Sequence, residues 1–198
     1  LYMPDSLYDP NTESWLSYDN PFELQVLGAS HNGNVTRITG LVLDIAVPET
    51  WWDAGATVTV AGPGYKDGIT INSGDWDWGI PSGQHPHGIY PTYHYSLELP
   101  DMDVGSGTDI IYNYNPGEEG QDTGVIYSYA ISYSGAFGVH MDASGVAKKK
   151  NGKEQSVFAP YSHDADAPII PEPTTIVLMS CGLFGLLGIV IRQRLKNK

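Results

Sequence analysis

A single cysteine occurs in the 198 residues, Cys181, and it lies within the apolar C-terminal stretch. No disulfide can therefore staple the segment before it, whose stability must come from packing. Phenylalanine is scarce too, at four against 13 tyrosines, five tryptophans and 23 glycines. That balance favours β-structure whose aromatic side chains keep one polar edge in water. Positive charge is thin: ten Lys and Arg face 23 Asp and Glu, for a formal net charge of −13. A chain this acidic repels phosphate backbones, which disfavours nucleic acid as a partner. The sequence also lacks a Gly-x-Ser-x-Gly nucleophile turn, a His-Glu-x-x-His helix and a Walker-type phosphate loop. Nothing in its motifs marks it as an enzyme. Leu1-Tyr-Met-Pro-Asp5 has neither a basic start nor an apolar run. The expectation is a chain from which an N-terminal signal peptide has been removed.

Helical spacing is absent ahead of Thr174, and period-two alternation takes its place. Phe22, Leu24 and Val26 alternate with Glu23 and Gln25, and Leu41, Leu43, Ile45 and Val47 follow Gly40. Tyr93, Tyr95, Leu97 and Leu99 share one face of a further strand, with His94, Ser96 and Glu98 opposite. Short β segments around Gly62-Pro-Gly64, then 110–114 and 125–133, continue the pattern between Gly/Pro turns. The fold expected is all-β: an antiparallel two-sheet sandwich, jelly-roll or immunoglobulin-like, with a closed barrel as the alternative. The sandwich should span residues 1–163 and include a polar loop or hairpin tip over 143–155, leaving 164–170 as a linker.

Charge is divided sharply along the chain. All 23 acids and only six basic residues precede Thr174, a net of −17, while the remainder carries four basic residues and no acid. Between them, residues 174–191 are uncharged. As a helix that run spans about 27 Å, close to the roughly 30 Å hydrocarbon core of a bilayer. By the positive-inside rule the basic end, 192–198, stays cytoplasmic and the acidic domain lies across the membrane. Gly182, Gly185 and Gly188 suit an ordinary membrane helix. Leu178-Met-Ser-Cys181 has the order of a lipoprotein box, but its positive charge follows the apolar run instead of preceding it.

Pro171-Glu172-Pro173, the apolar span and the basic end led by Arg192 and Arg194 together resemble the PEP-CTERM sorting signal of Gram-negative bacteria. The resemblance implies recognition by an exosortase, a membrane-embedded cysteine transpeptidase-like enzyme. It also implies processing near the Pro-Glu-Pro and export linked to exopolysaccharide and biofilm. Two prolines suit such a site physically, because they hold an extended, helix-free stretch just outside the bilayer. A plain single-span anchor with a chance Pro-Glu-Pro is the alternative. In the domain, Leu7-Tyr-Asp-Pro-Asn-Thr-Glu-Ser-Trp15, Pro21-Phe-Glu-Leu-Gln-Val-Leu-Gly-Ala29, Pro86-His-Gly-Ile-Tyr-Pro-Thr-Tyr93, Val139-His-Met-Asp-Ala143 and Phe158-Ala-Pro-Tyr-Ser-His-Asp164 resemble the choice-of-anchor N family. That resemblance implies surface display and leaves activity open.

Three kinds of candidate site follow. His87, His140 and His163, with Asp142 and Asp164 beside two of them, offer imidazole and carboxylate ligands for zinc or a similar ion. Their separation along the chain leaves backbone-bonded or packed histidines as the alternative. Asp75-Trp-Asp-Trp-Gly79 and Asp101-Met-Asp-Val-Gly105 with Asp109 begin like calcium loops but lack the closing glutamate. Trp51, Trp52, Trp76 and Trp78 can stack on sugar rings, or fill the core. The functional expectation is an exported cell-surface or extracellular-matrix protein with a structural or adhesive role. A carbohydrate-binding module and a metal-dependent hydrolase are the alternatives.

Overall fold

The computed structural model describes residues 1–11, 14–47, 57–82, 91–112, 120–134, 138–158 and 164–167. Among these the protein is all-β, with two antiparallel-rich sheets and no helix. Strand β3 (Phe22–Ala29) pairs with the long β10 (Gln121–Ser134), which also pairs with β5 (Thr57–Gly62) and β9 (Asp109–Tyr112). Strand β6 (Tyr65–Ile71) closes that five-stranded sheet beyond β5. The larger sheet is organised on β4 (Val35–Val47) and β11 (Val139–Lys149), antiparallel along almost their whole length. Next to β4 come β8 (Thr92–Glu98) and then the edge strand β7 (Asp77–Gly79). Next to β11 come β12 (Glu154–Phe158) and β13 (Asp164–Ala167). From β13 the sheet continues through β2 (Ser14–Leu16) to β1 (Leu7–Asp9), and β13–β2 is a parallel pair.

Period-two patterning explains how the layers meet. Phe22, Leu24 and Val26 of β3, Val58 and Val60 of β5 and Tyr129 and Ile131 of β10 turn inward from the smaller sheet. Leu41, Leu43, Ile45 and Val47 of β4, Leu97 of β8 and Val139 and Met141 of β11 meet them from the larger one. The two inner faces form one hydrophobic cluster, which is a sandwich-like arrangement. Full desolvation of the Tyr129 ring pushes its phenol well above the ordinary tyrosine range, and its hydroxyl donates to the Pro63 carbonyl at 3.2 Å. Gly40, at φ 56°, sits where the β4–β11 register shifts, a bulge that a left-handed glycine accommodates without a Cβ clash.

Two boundaries differ from the sequence expectation. Asp164–Ala167 is a strand, not part of a linker. It inserts between β11 and β2 and buries Ala165 and Ala167 completely. Alanine has little β propensity, so an Asp-Ala-Asp-Ala run carries almost no strand signal, yet its small methyls fit a tight position between two strands. The polar stretch 143–155 is strand up to Lys149 and resumes as strand at Glu154, which confines the hairpin tip to residues 150–153.

Candidate functional site

The outer face of the larger sheet should be polar and wet, but at its centre it is buried. Asp44 stands in an otherwise apolar run, Leu41-Val-Leu-Asp-Ile-Ala-Val47. Because Leu43 and Ile45 face the core, Asp44 and Ala46 must face outward, and both are nevertheless at most 1% exposed. The ladder sets Asp44 opposite Asp142 of β11 on one side and opposite Ser96 of β8 on the other. The Ser96 hydroxyl donates to an Asp44 carboxylate oxygen. One row along the sheet, Ala46 lies between His140 of β11 and His94 of β8, and His140 pairs in turn with Asp166 of β13.

His140 holds this cluster together. Its Nδ1 is 2.6 Å from Asp166 Oδ1 and its Nε2 is 3.4 Å from Asp142 Oδ2, with the side chain 10% exposed. Burial alone would lower the imidazole pKa. The hydrogen bonds and negative charges of Asp142 and Asp166 outweigh it and raise the pKa to about 10. At neutral pH His140 is an imidazolium donating through both nitrogens. In that state neither nitrogen offers a lone pair to a metal ion or takes a proton from a substrate. Its role in this geometry is to supply positive charge to the buried Asp142 and the partly buried Asp166.

The sequence shows why that charge matters. The six Lys and Arg that precede Thr174 are Arg37, Lys66, Lys148, Lys149, Lys150 and Lys153. Arg37 pairs with Asp101 at 2.9 Å, Lys148 pairs with Glu154 at 3.2 Å, and Lys66 lies in the opposite sheet. The remaining lysines cluster at the β11–β12 hairpin end, away from Asp142.

The other expected site residues divide three ways. His87, His163, Trp51, Trp52, Pro171, Glu172, Pro173, Arg192 and Arg194 lie outside the described residues. Asp164 enters through the β13 backbone, opposite Ser14 of β2. Among the described residues, no three His, Cys, Asp or Glu side chains are placed to hold a metal ion together. Acids of the calcium-like stretches are engaged with other partners. Asp75 accepts the Asn72 N–H at 2.8 Å, Asp101 accepts from Arg37 and from the Gly40 N–H, and Asp109 accepts the Ile126 N–H at 2.9 Å. Trp76 is taken into the core edge-on to Tyr95, so it offers no platform. Trp78, two residues on, is 52% exposed and packs edge-on against Tyr93 with ring centroids 5.0 Å apart.

Sequence reasoning missed Asp44, Ser96, His94 and Asp166. The signal available was Asp44 itself, because a lone acid inside a seven-residue apolar strand run points to a buried, partnered carboxylate. No protein-family model matches the chain, and no curated protein matches it either.

Proposed function

We propose that this protein is an exported cell-surface or extracellular-matrix component with a structural or adhesive role, delivered by a C-terminal PEP-CTERM-type signal. The observation that carries the reading is the order Pro171-Glu172-Pro173, an uncharged span over 174–191 and a basic end. In this reading 174–191 crosses the inner membrane as a helix until an exosortase-type enzyme processes the chain. The domain is read as a sandwich of the jelly-roll or immunoglobulin-like kind, related to the choice-of-anchor N proteins and associated with exopolysaccharide. The test replaces Pro171, Glu172 and Pro173 with alanine in the native cell. The unprocessed chain should then accumulate in the inner membrane and the domain should vanish from the surface. Unchanged surface display would overturn the sorting reading.

A carbohydrate-binding role is the second reading, favoured by Trp78. An exposed indole braced by Tyr93 on an edge strand, with the exposed Asp77 beside it, has the make-up of a sugar-stacking platform. Loss of polysaccharide retention in Trp78→Ala, with folding intact, would support it. Equal retention would remove it.

A further inference from the structure

The sandwich is not filled evenly. At the end where β3 finishes and β4 begins, a cleft of about 470 Å³ opens between the sheets. Its volume falls within the roughly 300–1,000 Å³ of small-molecule sites. The floor is the inner face of β11, which changes from the large residues Val139 and Met141 to Ala143, Gly145 and Ala147. The small Ala143 and Ala147 leave space, Gly145 lies under Ile38 and Leu41, and Val26, Ile38 and Ile111 wall the cleft with hydrocarbon. Polar and exposed residues gather at one end: Lys149, Gln155, His31 and the half-exposed Tyr112.

Charge singles out the occupant. Four of the six basic residues that precede Thr174 fall within Lys148–Lys153, on the hairpin whose Lys149 lines this mouth, in a domain that is otherwise strongly acidic. Lys149 lines the cleft and donates to Gln155 Oε1 at 2.7 Å, a contact that an incoming anion can replace. Two acids of the adjoining segments are already engaged. Glu154 pairs with Lys148, and Asp122 accepts from the Ser30 hydroxyl and the Asn32 N–H. A slot lined with hydrocarbon and a lysine at its mouth match an amphiphile with an apolar chain and an anionic head.

We propose that this cleft binds an acyl chain bearing an anionic head, with the chain against Ala143 and Ala147 and the head at Lys149. The chemistry is shared by a free fatty carboxylate and by an anionic phospholipid. The experiment uses the full chain in nanodiscs of a zwitterionic lipid, with empty nanodiscs as the blank, and titrates the fluorescent fatty acid dansylaminoundecanoate. A saturable one-to-one blue shift is expected. Competing straight-chain carboxylates should weaken about fourfold for each methylene removed. Displacement by dodecanoate identifies a free carboxylate as ligand, and displacement only by phosphatidylglycerol identifies the phospholipid. Ala147→Phe should fill the slot and abolish binding. Lys149→Glu, a surface change that spares the core, should weaken binding several-fold, and Lys66→Glu on the other sheet should not. No saturable binding, or binding indifferent to Lys149→Glu and to chain length, overturns the proposal.

Discussion

Replacing His140 with glutamine isolates the charge that the outer-face cluster needs. Glutamine keeps one hydrogen-bonding reach but cannot become a cation, so Asp142, at 3% exposure, and Asp166 lose the imidazolium beside them. Removing one partner from a buried ion pair costs about 3–5 kcal/mol, against a total stability of about 5–15 kcal/mol for a domain. The wild type also carries a pH signature. The folded pKa of His140, about 10, lies above the 6.5 of a free imidazole. Its contribution is therefore complete below about pH 6.5 and disappears as pH rises toward 10. The whole difference corresponds to at most about 5 kcal/mol, of which roughly 2 kcal/mol is gone by pH 8. Burial raises the phenols of Tyr65, Tyr129 and Tyr133, which keeps these tyrosines protonated across most of that window. Urea unfolding followed by tryptophan fluorescence at pH 6, 8 and 9.5 measures both effects. The wild type should weaken steadily with pH, and His140→Gln should be weaker at pH 6 with most of the slope gone. Equal slopes in the two proteins would refute the imidazolium assignment.

Three further outcomes follow from the packing. Leu43→Ala removes a fully buried side chain from the centre of the core and should cost about 2–5 kcal/mol in the same unfolding assay. Gly124→Ala should impair folding outright, because its Cβ would overlap the Gly28 carbonyl where β10 pairs with β3; circular dichroism of the soluble fraction reads this out. Trp78→Ala, at an exposed position, should shift stability by less than about 1 kcal/mol, in contrast to Trp76→Ala at about 3–5 kcal/mol.

The strands and their inward faces were legible where alternation is carried by large side chains. Phe22-Leu24-Val26 and Tyr93-Tyr95-Leu97 face the way their period indicates, because a one-residue slip would expose every one of them. Strand β13 was hidden because alanine and aspartate carry no β signal, and its burial comes from neighbours more than 100 residues away in β2. The polar cluster was legible only in part. His140 and Asp142 stand two residues apart on one strand and so share a face, whereas Asp44, Ser96 and Asp166 come from three other strands. Their meeting depends on strand order and register, which no local spacing encodes. The exposure of Trp78 and the burial of Trp76 likewise follow from where β7 attaches to β8.

The intact mass of the mature protein, recovered from its native surface, tests the proposed function most directly. Processing at the sorting signal predicts a mass short of the tail, with the new end near Pro171-Glu172-Pro173 and the acidic domain complete. A mass that still includes Lys198 would make the apolar span a permanent anchor and contradict the exosortase route.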